Sequence, residues 1–184
     1  YGMTGTFTVV LQATNECGTT EFTAQVEISG SAPLAAYEAS EANGCVPMTV
    51  TFTDQSAGNP TAWLWAFEGG DPATSTEQNP KVTYSSTGSF AVTLIVTNIY
   101  GNDTLTVPNG VTTQSVPTSG FAYSVNQNTA TFSNQSLNAT AYMWNFGDGG
   151  NSTDANPTHT YTADGTYIVT LTATNACGTS TSTS

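Results

Sequence analysis

The sequence predicts an all-β chain made of tandem β-sandwich domains, and three observations carry that expectation. Three segments of the 184-residue chain align, beginning at Tyr1, Tyr84 and Tyr161. Each runs tyrosine, glycine four residues on, an alternating stretch, then T-N-x-x-G. Apolar residues in the alternating stretch recur at every second position, the period of a strand with one face on a core. No stretch of useful length carries a helical period. Turn-rich clusters such as Ser56-Ala-Gly-Asn-Pro and Glu77-Gln-Asn-Pro divide the chain at the spacing that short strands require.

The elements follow in order. In the three long strands Phe7, Val9, Leu11 and Ala13 match Phe90, Val92, Leu94 and Val96, and then Tyr167, Val169, Leu171 and Ala173. These residues are expected to face a core, with the intervening Thr, Gln and Ile outward. Upstream of the second and third strands lie Ala62-Trp-Leu-Trp-Ala-Phe and Ala141-Tyr-Met-Trp-Asn-Phe. Their alternation puts Trp63, Trp65 and Phe67 on one face, and Tyr142, Trp144 and Phe146 on the equivalent one. Further upstream, Val50-Thr51-Phe52 and Ala130-Thr131-Phe132 form another matched pair of short strands. Trp65 and Trp144 are 79 residues apart, so one repeat is one sandwich.

Trp144, Phe146, Gly147, Asp148 and Gly149 spell W-x-F-G-D-G, followed by N-P-x-x-x-Y and then G-x-Y-x-V-x-L-x-x-x-N-x-x-G. This order resembles the PKD (polycystic kidney disease) domain, and the resemblance covers essentially the whole chain. It implies a seven-stranded immunoglobulin-like sandwich, with Trp65, Phe67, Trp144 and Phe146 as structural core and Gly147, Asp148 and Gly149 as the signature turn. Residues 33–113 depart from the pattern, because Glu68 stands where glycine is usual and the aspartate is displaced to Asp71. The turn there is expected to differ. Mapped onto the chain, residues 1–30 are the C-terminal part of a PKD-like domain. Residues 33–113 are a full domain, and residues 114–184 are one lacking its last strand. The Tyr1 and Tyr161 segments coincide at 12 of 24 positions. The strands missing beside residues 1–30 are therefore expected from sequence equivalent to 114–160, in an upstream repeat or an adjacent subunit.

Composition excludes several functions. Thirteen acidic residues against the single basic Lys81 give a net charge of −12, so nucleic acid is not an expected partner, because phosphate binding has no cationic cluster to work with. Anionic membranes are disfavoured for the same reason. No run approaches the length of a membrane span, so membrane insertion is not expected.

Catalysis has little to build on. The one histidine, His159, falls where residues 33–113 carry Val82, and it is expected to make a surface or turn contact rather than move protons. No G-x-S-x-G elbow occurs. No cofactor is expected, with Ca²⁺ left open. Asp148, Asp154 and Asn151 in the last repeat, and Glu68, Asp71 and Glu77 in the middle one, put oxygen ligands in glycine-rich loops. The other reading is that Asp148 closes a tight turn through backbone hydrogen bonds. The aromatic residues admit a sugar-stacking platform or a core, and their period of two places them in a core. Asn102, Asn134, Asn138 and Asn151 each begin an Asn-x-Ser/Thr triplet. Thr104, in Asp103-Thr104-Leu105, resembles the O-glycan acceptor of Bacteroidota-like secreted surface proteins. Such triplets also arise by chance in so Asn- and Thr-rich a chain.

Cys17 and Cys177 share the slot T-N-x-C-G, 160 residues apart, where the middle repeat has Tyr100; Cys45 lies in Asn43-Gly-Cys-Val-Pro. A Cys17–Cys45 disulfide between successive sandwiches is expected, leaving Cys177 unpaired. The alternative is three free thiols. The expected function is a non-catalytic extracellular or cell-surface array of structural or adhesive repeats, either a stalk or a filament subunit. Its expected partners are neighbouring repeats or identical subunits, together with glycans or cell-surface components. The rival is a carbohydrate- or protein-binding accessory module of a secreted hydrolase. Short proline-bearing junctions at Gly30-Ser-Ala-Pro and Val116-Pro-Thr-Ser-Gly are expected to limit bending.

Overall fold

The computed structural model describes residues 5–184, and among them every regular element is a β-strand. Tyr1 lies outside the described residues. The chain opens with a hairpin of β1 (Gly5–Asn15) and β2 (Gly18–Ile28), antiparallel from Gly5 opposite Ile28 to Asn15 opposite Gly18. Its register sets Val9 beside Ala24 and Leu11 beside Phe22, while Thr8 faces Gln25 and Gln12 faces Glu21. Because successive side chains alternate in direction, one face of the hairpin is apolar and the other polar.

The middle sandwich comprises β3 (Tyr37–Ala39), β4 (Asn43–Cys45), β5 (Met48–Asp54), β6 (Ala62–Phe67), β7 (Gly70–Asp71), β8 (Thr74–Ser75), β9 (Lys81–Tyr84), β10 (Gly88–Asn98) and β11 (Gly101–Gln114). One sheet runs β4-β11-β10-β6-β8 and the other β3-β5-β9-β7. The pairing of β4 with β11 is parallel, with Cys45 opposite Gln114. Between the sheets lie Trp65, Phe67, Val92, Leu94 and Val96 from one side and Val50, Phe52, Val82 and Tyr84 from the other, all buried. Phe52 and Phe67 approach to 4.8 Å between ring centroids, and Trp65 and Phe67 stack at 5.7 Å. Such ring contacts add to the area that each aromatic buries.

The last sandwich repeats the plan with β12 (Phe121–Asn126), β13 (Thr129–Asn134), β14 (Ala141–Asn145), β15 (Asn151–Ser152), β16 (Thr158–Thr160), β17 (Thr170–Asn175) and β18 (Gly178–Thr183). Its sheets are β12-β13-β16 and β15-β14-β17-β18. Phe132, Trp144, Phe146 and Leu171 are buried where the middle sandwich has Phe52, Trp65, Phe67 and Leu94. The two indole nitrogens are also tied alike. Trp65 Nε1 donates to Glu77 O at 2.9 Å, and Trp144 Nε1 donates to Asp154 O at 2.9 Å. A groove of about 380 Å³ is lined in part by Tyr123, Phe132, Tyr161 and Tyr167. In the middle sandwich Val111, on the second half of β11, is part of the buried core.

The hairpin lacks this cover. Leu94 and Leu171 are 0% exposed, yet Leu11, in the same register of the repeat, is 64% exposed, and Phe22 opposite it is 68% exposed. Sequence period alone makes this face a core face; among the described residues no second sheet lies on it.

Candidate functional site at the junction between sandwiches

Each T-N-x-x-G segment makes the turn of a long hairpin, and its asparagine does two jobs. The side-chain oxygen accepts from the backbone nitrogen two residues on: Asn15 from Cys17, Asn98 from Tyr100 and Asn175 from Cys177, each at 2.8 Å. In the two sandwiches the amide nitrogen reaches elsewhere. Asn98 Nδ2 donates to Ser31 O at 2.9 Å and to Gly58 O at 2.7 Å. Asn175 Nδ2 donates to Ser115 O at 2.8 Å and to Asn138 O at 2.7 Å. Ser31 and Ser115 belong to the connections leading into each sandwich. The asparagine therefore pins the incoming chain to the loop that precedes β6 or β14. Gly58 and Asn138 both hold positive φ there, 80° and 58°. The hairpin turn thus lies at the pole by which its own sandwich is entered.

That placement decides the disulfide. Cys177, on the turn between β17 and β18, faces back toward the middle sandwich and is bonded to Cys45, with Cα atoms 5.5 Å apart. Gln114 is shared by both partners. Its carbonyl accepts from Val46 N at 3.0 Å, and Cys177 Sγ lies 3.5 Å from the same oxygen. The expected Cys17–Cys45 bond is therefore corrected to Cys45–Cys177, and Cys17 is the exposed free thiol. The physical reason is direction. A turn at the entrance pole looks backward along the chain, so Cys17 points away from the middle sandwich, at the end of an eleven-residue hairpin, roughly 35 Å from where β2 hands the chain on. Tyr100, in the same slot, also turns backward, with its ring against Gly30 of the incoming connection.

Asn175 is 7% exposed, and truncation would leave two carbonyls without their donor. Asn175→Ala is expected to destabilise the last sandwich by about 1–3 kcal/mol in urea unfolding, the range for losing buried hydrogen bonds. A loss well under that range would mean that solvent replaces the amide.

The signature turn of the last sandwich is closed by its own aspartate. Asp148 Oδ1 accepts from Gly150 N at 2.9 Å, and Asp148 Oδ2 lies 2.8 Å from His159 Nε2. Gly147 and Gly149 take φ of 84° and 96°, which side-chain-bearing residues rarely adopt. His159 stacks on Phe146 at 4.2 Å, in the register where Val82 lines the middle core, so its ring is a lid on the core and its nitrogen a strut for the turn. The hydrogen bond from His159, then that from Gly150 N, hold the Asp148 carboxyl below its ordinary value. Its stabilising contribution is therefore present above the usual carboxylate range and is lost as pH falls through the depressed value. Asp148→Asn is expected to remove the part of the acid-limb stability loss that this group causes. Unfolding of both proteins across pH 2–5 measures it, and parallel curves would contradict the assignment.

Of the Ca²⁺ candidates, Asp148 already serves two protein donors, and Asp154 Oδ2 lies 3.3 Å from Ser152 Oγ. Among the described residues no three His, Cys, Asp or Glu side chains gather as a metal centre. In the middle sandwich Glu68 Oε2 instead accepts from Ala91 N at 3.0 Å, and Gly70–Asp71 pairs with β9, so the turn there takes a different course. Trp63 is partly buried, with its Nε1 on Asp54 Oδ2 at 2.8 Å.

The glycosylation candidates divide by environment. Asn102 and Thr104 point to solvent from β11, and Asn151 is exposed, with its amide on Gly149 O. Asn134 is half-buried, its Oδ1 accepting from Ser136 N, while Asn138 sits at the junction with its Nδ2 on Ser115 Oγ.

A family model described as PKD domain matches residues 31–113 and 116–184. Over 38 residues the chain is 58% identical to Collagenase ColA of Bacillus cereus, which is 21% of this chain and 4% of that protein. Over 75 residues it is 42% identical to the pre-pro-metalloprotease PrtV of Vibrio cholerae, 37% of this chain and 8% of that protein. The matched segment is less than a tenth of either relative. Among solved structures, the I-band fragment of titin superposes with a TM-score of 0.56 at 14% identity, covering 84% of this chain and 65% of that one. The N-terminal eight Ig domains of Down Syndrome Cell Adhesion Molecule give 0.52 at 13% identity, covering 98% and 27%. These two likenesses show a tandem immunoglobulin-like fold.

Proposed function

We propose, for a chain that belongs to the PKD domain family, a non-catalytic extracellular role as a rigid segment of a repeat array that holds other parts apart. One observation carries this reading: the Cys45–Cys177 bond ties the last sandwich to the middle one, and the Asn175 clamp holds the connection between them against the last sandwich. A spacer transmits position only if its joints do not bend, and a covalent joint backed by buried hydrogen bonds meets that need. Disulfides persist in oxidising surroundings, which supports a place outside the cytoplasm. The acidic surface, with outward Asn102 and Thr104 as glycan acceptors, suits the same setting.

The similarity to segments of a collagenase and a metalloprotease favours a second reading, an accessory module of a secreted hydrolase. Electron microscopy of the native protein separates the two. A line of similar sandwiches supports the spacer, as a stalk or as a filament. A lone pair of sandwiches beside a larger catalytic body would replace it with the accessory module.

A further inference from the structure

We infer that Cys17 is a second interdomain disulfide site, whose partner is a cysteine in a turn of the Asn43-Gly-Cys-Val-Pro type on the sandwich that precedes the β1–β2 hairpin in the array. The inference rests on the array reading and extends it to a specific bond. Cys17 and Cys177 fill one slot of the repeat, 160 residues apart. In the last sandwich that slot is bonded, and bonded to the neighbouring sandwich rather than to its own. Tyr100, the third occupant, lies against Gly30 of the connection that leads into its sandwich. The two slots with described neighbours look back along the chain, and Cys17 is the one whose neighbour is not among the described residues.

Two further observations call for the rest of the hairpin's own sandwich and for a connection leading into it, and so for a unit ahead of that sandwich. Leu11 and Phe22 are 64% and 68% exposed on a face whose counterpart in the middle sandwich is covered, with Leu94 buried beside Trp65. The amides of Asn98 and Asn175 each bind two carbonyls, one on the incoming connection and one on a loop of the same sandwich. Among the described residues Asn15 makes only the contact to Cys17 N, so its amide lacks the connection and loop that its equivalents hold. The covering strands are of the β5 and β9 type, from the sheet that faces β10 in the middle sandwich, while a β6-type strand would pair beside β1. Neither cysteine of this chain can serve Cys17, because Cys45 and Cys177 hold each other.

The bond forms by thiol–disulfide exchange with a small-molecule disulfide as oxidant. One thiolate attacks the oxidant, giving a mixed disulfide and releasing one small thiol. The second thiolate displaces the other small thiol, so that two protein thiols are oxidised and one disulfide is reduced to two thiols.

Two experiments test it. Native protein is purified without reductant, its free thiols are blocked with iodoacetamide, and peptic peptides are mapped by mass spectrometry. Cys17 is expected unblocked and joined to a cysteine peptide from a preceding sandwich. Recovery of Cys17 blocked, joined to Cys17 of a second copy, or joined to a small thiol would overturn the inference. In the second, residues 25–160 are placed ahead of residue 1, so that residue 160 runs into Tyr1 as it does into Tyr161. The added Cys45 then stands where the bond requires. Oxidised glutathione is expected to lower the titratable thiols from two to zero. Two remaining thiols with slowed hydrogen exchange in β1 and β2 would remove the disulfide and leave the array reading standing. Fast exchange in those strands would remove the array reading as well.

Discussion

Trp144→Ala is expected to destabilise the last sandwich by about 3–5 kcal/mol, the range for truncating a large buried aromatic. The indole is 0% exposed and meets Phe121 at 5.1 Å and Phe132 at 5.2 Å between ring centroids. Alanine would leave a cavity that Phe121, Phe132 and Phe146 cannot fill without leaving the positions their own strands impose. It would also remove the donor to Asp154 O, so the loop between β15 and β16 loses its anchor. A small sandwich buries proportionately little surface and has little stability to spare, so a loss of this size approaches the whole of it. Urea unfolding followed by far-UV circular dichroism measures the effect, with Trp144→Phe as a partner variant that keeps a ring and loses the hydrogen bond. A loss below about 1 kcal/mol for the alanine variant would mean that the core is not organised around this residue.

The fold was legible because a β-strand writes its burial into every second residue. The parity of Trp65 and Phe67, and of Trp144 and Phe146, needs no long-range information, and neither does the apolar register of Phe7 to Ala13. The disulfide was legible only in part. Repetition marked the cysteine slots and their link between sandwiches, but direction depends on which pole holds the T-N-x-C-G turn. That is a property of how the hairpin returns over the sandwich, which local pattern does not encode. The asparagine of the same motif was visible in all three repeats. Its role was missed because its acceptors, Ser31 and Gly58 or Ser115 and Asn138, lie 37 to 67 residues away in sequence. His159 was readable as a turn contact. Its stacking on Phe146 follows from sharing the register of Val82, a comparison that the repeat itself makes available.

Removing the Cys45–Cys177 bond, through Cys45→Ser with Cys177→Ser, is expected to destabilise the last sandwich by about 4 kcal/mol. The bond nominally closes a loop of 132 residues. The loop that matters is shorter, because Cys45 is paired with Gln114 as long as the middle sandwich stays folded. Unfolding of the last sandwich alone frees only the chain from Gln114 to Cys177, and a closed loop of roughly 60 residues loses about 4 kcal/mol of unfolded-state entropy. If both sandwiches unfold together the full loop applies, and the figure rises to about 5 kcal/mol. The double variant should therefore show its last sandwich melting first and independently, while the middle one keeps its midpoint. Calorimetry of the two proteins tests both parts. A shift worth less than about 1 kcal/mol in the last sandwich would place the strength of the junction in the Asn175 clamp instead. An equal shift in both sandwiches would show that they unfold as one unit, with the bond holding the pair rather than fastening one member to the other.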